Sequence, residues 1–219
     1  MKYKALLFGS IGTLIESSDI QRNSFNEAFK EAGLDWYWDE QDYKILLKKS
    51  GGTKRVEDFA EKNNVNVNAS KIRNRKTEIF SSFIMKNKQK LRKSVNEIIN
   101  FTKKNNVKLA LSTSTTINNV EAVFKSLSNQ ISKEDFHFIG NRSLVKYEKP
   151  NPEIYKLTLE KLNLEPDNCL AIEDTEESSK SALSAGIKCV GFPGDYHSDD
   201  SFEMCIKKVK ILDQSLFSL

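Results

Sequence analysis

Short apolar runs of strand length recur along this chain and alternate with segments of helical period. The runs stand at residues 5–8, 107–111, 136–139, 170–172 and 189–192. Three apolar stripes with helical spacing lie between them, in residues 95–102, 120–127 and 154–162. Strand followed by helix at this spacing predicts an α/β fold, in which helices cover both faces of a parallel sheet.

The stretch from residue 16 to about residue 88 departs from this alternation, because it contains no convincing buried strand. Four apolar stripes of helical period occupy it instead, around residues 25–32, 43–47, 56–60 and 72–83. Gly33 follows the first stripe as a candidate C-cap. We therefore expect a discontinuous sheet domain of residues 1–15 and 90–219, with residues 16–89 inserted as an all-helical cap.

Composition excludes several classes of function. The 219 residues include 34 basic and 30 acidic ones, so the net charge of +4 describes a mixed, solvated surface. Three cysteines, an odd number without C-x-x-C spacing, predict reduced thiols. The two histidines, His137 and His197, leave no histidine-based metal site and no obvious Ser-His-Asp triad. No stretch resembles a signal peptide or a membrane span, so we expect a cytoplasmic protein that binds neither nucleic acid nor membrane.

Glycine and polar residues stand near the ends of the predicted strands. These segments are Gly12-Thr13-Leu14, Ser112-Thr113, Lys149-Pro150 and Glu173-Asp174. Each alone has an ordinary interpretation, such as a strand-end hydroxyl, a loop before a helix or a helix N-cap. Together they are expected at the carboxyl edge of a parallel sheet, where open α/β proteins bind ligands.

The order and spacing of these segments resemble the haloacid dehalogenase-like (HAD) superfamily, which implies a Rossmann-like core. In that family the first strand ends in Asp-x-Asp-Gly-Thr-Leu. The first Asp is the nucleophile and a Mg²⁺ ligand, and the second is the general acid/base. Here Gly9 and Ile11 stand at those two positions. Neither side chain can attack phosphorus or transfer a proton, so the resemblance implies a phosphatase-like site without its two working carboxylates.

The resemblance also assigns roles to the remaining segments. It assigns phosphate binding to Gly12, Ser112, Thr113 and Lys149. Glu173 and Asp174 correspond to the acidic pair that holds Mg²⁺ in the family. Because Gly9 removes one direct carboxylate ligand, we expect the Mg²⁺ site to be weak or absent. We expect a phosphate anion still to bind, since backbone N–H groups, hydroxyls and an ammonium group remain.

The helical segment is similar to the CbbY-like and β-phosphoglucomutase-like subgroup of this family. There a Gly-Gly-Lys-Glu-Arg stretch of the cap binds the distal phosphate of the substrate. Gly51, Gly52 and Arg55 match that stretch, whereas Thr53 and Lys54 replace its Lys and Glu. The resemblance implies a small phosphorylated sugar as ligand, with Gly51, Gly52, Lys54 and Arg55 on the cap side. It extends to about residue 194 and leaves residues 195–219 without a predicted role.

Three functions remain open at this point. The favoured hypothesis is a pseudo-phosphatase that binds a sugar phosphate, a phosphate anion or a protein partner without turnover. The second is an active hydrolase with a non-standard nucleophile, for which Ser10 is the only nearby candidate. The third is a structural interaction protein with an empty pocket. Phosphate release separates the second from the others, and a ligand-dependent rise in melting temperature separates the first from the third.

Overall fold

The computed structural model describes residues 2–48 and 51–219. Its centre is a parallel sheet of six strands in the order β3-β2-β1-β4-β5-β6. The strands are β1 (Ala5–Phe8), β2 (Lys108–Ser112), β3 (Phe138–Gly140), β4 (Cys169–Glu173), β5 (Lys188–Gly191) and β6 (Lys207–Lys208). Because β1 lies between β2 and β4, the loops after these three strands meet at one edge of the sheet. The predicted α/β fold is confirmed.

Four helices lie within residues 16–89, after β1. They are α1 (Ser18–Glu31), α2 (Glu40–Leu47), α3 (Gly52–Lys62) and α4 (Ala69–Lys86), called the inserted helices below. The described part of residues 16–89 contains no strand. Fully buried Trp38 organises their aromatic core, with ring centroids 4.6 Å from Phe29 and 4.9 Å from Phe25. The division into two domains after residues 15 and 89 stays a prediction.

The other helices cover the two faces of the sheet. Helices α5 (Val95–Lys104) and α6 (Ile117–Ser126) pack on one face, and α7 (Glu153–Leu162) and α8 (Glu176–Ser184) pack on the other. Leu6 and Phe8 join the first core, whereas Ala5 and Leu7 join the second. Since both faces are buried, β1 is apolar at every position. None of the helices in residues 2–48 and 51–219 combines the length and the apolar character needed to cross a bilayer.

The segment after β5 returns to the sheet, although the sequence pattern predicted no structure there. Strand β6 pairs with β5 in the register Val190↔Lys207. Leu212, Leu216 and Phe217 are buried in the core on the α5 and α6 side. The four-residue spacing of the two leucines was the sequence feature that could have indicated this burial. The segment closes one side of the core.

Candidate phosphate-binding site

A cavity of about 350 Å³ lies between the carboxyl edge of the sheet and the inserted helices. The predicted site residues that line it are Gly9, Ser10, Ile11, Gly12, Gly51, Gly52, Arg55, Thr113, Lys149 and Asp174. Three predicted site residues do not line it, namely Lys54, Ser112 and Glu173. Lys54 is exposed and pairs with Asp58 at 2.5 Å. The structure therefore places residues of the strand-end loops and of the inserted helices around one cavity, and three of the predicted residues lie outside it.

Positions 9 and 11 in the loop after β1 carry no carboxylate. Gly9 donates its N–H to the Ile172 carbonyl at 2.8 Å, which fixes the loop against β4. Ile11 is 6% exposed and packs into the core on the α5 and α6 side. The Ser10 hydroxyl accepts a hydrogen bond from the Thr13 N–H at 3.2 Å and caps the short turn that begins at Ile11. Neither position 9 nor position 11 presents a group that could attack phosphorus or move a proton.

The Glu173 carboxylate occupies the space in which a side chain at position 9 would lie. A Cβ atom on Gly9 would stand 2.1 Å from both Cδ and Oε1 of Glu173. Lys149 Nζ pairs with Oε1 at 2.5 Å, and the Tyr155 hydroxyl donates to the same oxygen at 2.7 Å. Burial raises the pKa of Glu173, and the Lys149 charge opposes this rise. Glu173 is an internal anion directly behind the loop after β1.

Ser112 lies away from the cavity, contrary to its predicted phosphate contact. Its side chain is fully buried, and its hydroxyl shares a hydrogen bond of 2.8 Å with the Thr158 hydroxyl on α7. The next residue, Thr113, follows the end of β2 and lines the cavity. Of the two predicted hydroxyls, Thr113 lines the cavity and Ser112 does not.

Removing the Ser112 and Thr113 hydroxyls one at a time tests whether Thr113, and not Ser112, contacts the ligand. We expect Ser112→Ala to lower the free energy of unfolding by about 1 kcal/mol, because Thr158 loses a hydrogen bond, and to leave the affinity for a phosphorylated sugar unchanged. Thr113→Val should weaken the binding of a phosphorylated sugar about fivefold, the effect of one hydrogen bond of about 1 kcal/mol. Thermal unfolding and titration calorimetry with a phosphorylated sugar measure the two effects. A loss of affinity in Ser112→Ala would contradict this geometry.

Three cations of the inserted helices face the same cavity, namely Arg55, Arg73 and Lys76. Arg55 donates from Nε to the Leu46 carbonyl at 3.0 Å and lies over the Tyr43 ring, 5.6 Å from its centroid. Arg73 and Lys76 are three residues apart on α4 and therefore share one face of that helix. The sequence pattern indicated only Arg55, because the apolar stripe of α4 identifies the packed face and not the cations beside it.

The ammonium group of Lys76 lies in an enclosed position. It stands 4.9 Å from the centroid of the Phe25 ring and contacts the side-chain oxygen of Gln21. Its pKa is lowered to about 7, first by burial and then by the charges of Arg55 and Arg73. An anion bound beside Lys76 would favour the protonated amine and raise this pKa.

Phosphate affinity should therefore fall above pH 7, where the free Lys76 amine loses its proton. Binding then takes up a proton, and affinity decreases by up to about tenfold per pH unit until the pKa of the complex is reached. Arg55 and Arg73 are the cations that face Lys76. Lys76→Met should bind more weakly at neutral pH and lose the slope. Calorimetry in two buffers of different ionisation enthalpy measures the proton uptake; equal uptake by both proteins would contradict the assignment.

His197 is a candidate residue that the sequence pattern did not indicate. It ends a short turn after β5 and lines the cavity. Its Nδ1 lies 2.8 Å from Asp200 Oδ2, and this contact orients the ring. The three-residue spacing of the two side chains was the only signal, and such spacing is common in turns. The structure thus places a His–Asp pair at the cavity, where no triad was expected.

The acidic residues near the cavity fit Mg²⁺ poorly. Asp174 Oδ2 lies so close to Gly12 that a Cβ there would be 1.9 Å away. Glu16 lines the cavity but accepts the Asp195 N–H at 2.8 Å, and the Glu173 carboxylate is paired with Lys149. Among the residues that the structure describes, no three His, Cys, Asp or Glu side chains are grouped to hold a metal. Asp174 alone supplies too few oxygen ligands for the octahedral shell that Mg²⁺ takes.

Comparison with known proteins identifies a family that agrees with this sheet order and with a cavity at the carboxyl edge of the sheet. A family model described as haloacid dehalogenase-like hydrolase matches residues 11–192. The chain belongs to this family. Members of the HAD family generally use Mg²⁺.

Within the HAD family, the chain is similar to the CbbY proteins. Protein CbbY of Rhodobacter capsulatus is 35% identical over 205 residues, which cover 92% of this chain and 90% of that protein. Protein CbbY of Cereibacter sphaeroides is 32% identical over 202 residues, or 91% of this chain and 88% of that protein. The predicted CbbY-like subgroup is confirmed.

Solved structures support the same assignment. CbbY from Rhodobacter sphaeroides in complex with phosphate aligns with a TM-score of 0.86 at 30% identity, covering 97% of this chain and 96% of that one. CbbY from the same organism in complex with xylulose 1,5-bisphosphate aligns with a TM-score of 0.84 at 30% identity, covering 95% and 94%. This HAD chain is a CbbY-type, phosphatase-like protein.

Proposed function

We propose that this CbbY-type protein is a pseudo-phosphatase, which binds a small phosphorylated sugar without hydrolysing it. The observation that carries the proposal is the Glu173 carboxylate in the space of the nucleophile, held by Lys149 and Tyr155. Attack on phosphorus needs a nucleophile with free access to the ligand. Glu173 is fully buried and does not line the cavity, so it has no such access.

The second catalytic role, general acid/base, also lacks a candidate at position 11 and at its neighbour, position 10. Ile11 is buried and apolar, and the Ser10 hydroxyl is engaged by the Thr13 N–H. Positioned proton transfer contributes about 10²–10⁴-fold to rate, and catalytic groups that act as a unit lose nearly everything when one is removed. The absence of carboxylates at both positions therefore favours binding without turnover.

The charges of the cavity favour an anionic ligand. Arg55, Arg73 and Lys76 supply positive charge from the inserted helices, and the Thr113 hydroxyl lies on the sheet side. The CbbY structures from Rhodobacter sphaeroides were solved with phosphate and with xylulose 1,5-bisphosphate, which supports a phosphorylated sugar as the ligand class. We propose that binding depends little on Mg²⁺, because Asp174 is the carboxylate left open to the ion.

Two arginines of α4 provide a matched test. Arg73 lines the cavity, whereas Arg75 donates to Glu31 at 2.8 Å on the outer surface. We expect Arg73→Ala to weaken the binding of phosphorylated sugars at least about tenfold, through loss of a charge-assisted contact, and Arg75→Ala to leave it unchanged. Titration calorimetry without Mg²⁺ measures the affinity. In wild type, a ligand at one hundred times its Kd should add about 2.7 kcal/mol of apparent stability.

Two results would reject the sugar-phosphate proposal. One is an equal affinity loss in Arg73→Ala and Arg75→Ala, which would indicate a general surface-charge effect. The other is the absence of binding by any phosphorylated sugar to wild type. In that case a protein partner becomes the remaining role for this face of the molecule.

Hydrolysis through Ser10 is a second candidate function, and His197 is the observation that favours it. His197 lines the same cavity and is oriented by Asp200 at 2.8 Å. A serine nucleophile requires an adjacent base of this kind. The Ser10 hydroxyl, however, caps the turn at Thr13. Phosphate release by wild type that disappears in both Ser10→Ala and His197→Ala would establish this alternative, and no release by wild type would reject it.

A further inference from the structure

The two ends of the cavity differ in charge. At the end formed by the inserted helices, no acidic side chain in the described part of the chain pairs with Arg73 or Lys76. At the sheet end, Lys149 is already paired with Glu173, and the two side chains are 7% and 0% exposed. Positive charge without a carboxylate partner is therefore available to a ligand at the first end.

Several contacts hold the Glu173 carboxylate in place. Its Oε1 accepts hydrogen bonds from Lys149 at 2.5 Å and from the Tyr155 hydroxyl at 2.7 Å. Gly9 supplies the room, since any Cβ there would overlap the carboxylate, and the Gly9 carbonyl accepts a further bond from Lys149. The second oxygen, Oε2, is buried and has no hydrogen-bond partner. Glu173 therefore provides Lys149 with an internal anion before any ligand arrives.

We propose that Glu173 is a specificity-determining residue, which restricts the ligand to a sugar with a single phosphate group bound by Arg55, Arg73 and Lys76. This inference rests on the proposed function and deepens it. The unphosphorylated end of the sugar then faces Thr113 and the other hydroxyl-bearing residues of the sheet side, which exchange hydrogen bonds with sugar hydroxyls.

Electrostatics disfavours a second phosphate at the sheet end. There, the carboxylates of Glu16, Glu173 and Asp174 outnumber the two nearby cations, the Lys149 ammonium and the Arg92 guanidinium. A phosphate dianion would be repelled, and the repulsion is stronger in a partly desolvated cavity than in bulk water. Displacing Glu173 from Lys149 would break a buried ion pair and leave its carboxylate without a partner. A bisphosphate therefore gains nothing from its second phosphate.

Two ligands that differ by one phosphate test the inference. Xylulose 5-phosphate and xylulose 1,5-bisphosphate are titrated into wild type without Mg²⁺, and the two dissociation constants are compared. We expect values within about threefold of each other, a difference below the contribution of one charge-assisted hydrogen bond. Bisphosphate binding at least about tenfold tighter than monophosphate binding would overturn the inference and leave the proposed function standing. If neither sugar binds, both are rejected.

The variant Glu173→Gln tests whether the charge of Glu173 excludes a second phosphate. Glutamine retains a polar contact with Lys149 and Tyr155 but removes the negative charge. We expect bisphosphate affinity to rise at least about tenfold and monophosphate affinity to stay within about threefold. Glu160→Gln, an exposed change on α7, is the control and should alter neither. Unchanged bisphosphate affinity in a folded Glu173→Gln protein would overturn the inference. Should that variant fail to fold, the wild-type comparison decides alone.

Discussion

Lys149→Ala should lower the free energy of unfolding by about 3 kcal/mol, because it leaves the buried Glu173 carboxylate without its partner. In wild type the Lys149 ammonium lies 2.5 Å from Oε1 of Glu173, and the two side chains are 7% and 0% exposed. For a chain of this size, such a loss lowers the melting temperature by roughly 6–12 °C. Thermal unfolding followed by circular dichroism measures the shift.

Lys146→Ala is the matched control. Lys146 is exposed, three residues earlier, and its ammonium lies over the Tyr147 ring, 5.1 Å from the centroid. Its replacement should change the free energy of unfolding by less than about 0.5 kcal/mol, as is usual for surface sites. If both lysine variants unfold like wild type, Glu173 is not held by Lys149, and the account of the filled nucleophile position is wrong.

The second large effect concerns turnover. Wild type should release phosphate from sugar phosphates at least about 10⁴-fold more slowly than a phosphatase whose site evolved with both carboxylates, at positions 9 and 11. Gly9→Asp combined with Ile11→Asp should gain Mg²⁺ affinity and raise release at least about a hundredfold. The new side chain at position 9 must push Glu173 aside, since its Cβ would stand 2.1 Å from the present carboxylate.

The single change Ile11→Asp is the control for this restoration. It supplies a proton-transfer group but no nucleophile, so release should stay at background. A coupled phosphate assay with and without Mg²⁺ compares wild type, the single variant and the double variant. Equal gains in the single and double variants would contradict the role assigned to position 9.

Much of the fold could be predicted from the sequence, because each buried element leaves a periodic pattern. The run at residues 5–8 is apolar throughout, since β1 lies between β2 and β4 and both its faces are covered. The pairing of Lys207 and Lys208 with β5 left no such pattern, because both side chains of this short edge strand are exposed. Hydrophobic periodicity cannot identify a strand that buries nothing.

The candidate site was less predictable, because side-chain direction decides which residue of a motif meets a ligand. Ser112 and Thr113 are equivalent in the sequence as a strand-end hydroxyl pair, and only the structure shows that Ser112 bonds Thr158 while Thr113 lines the cavity. Arg73 and Lys76 could not be assigned to the cavity without knowing which face of α4 turns toward the sheet. The position of Glu173 depends on the space left by Gly9, which only three-dimensional packing reveals.

Phosphorus NMR of a single sample distinguishes binding without turnover from hydrolysis. Wild type is mixed with a sugar monophosphate and excess Mg²⁺, and the spectrum is followed over hours. We predict that the phosphate-ester resonance shifts or broadens as protein is added, that Arg73→Ala removes this change, and that no inorganic phosphate resonance grows. Growth of an inorganic phosphate resonance in wild type, absent in Ser10→Ala, would contradict the account and establish an active hydrolase.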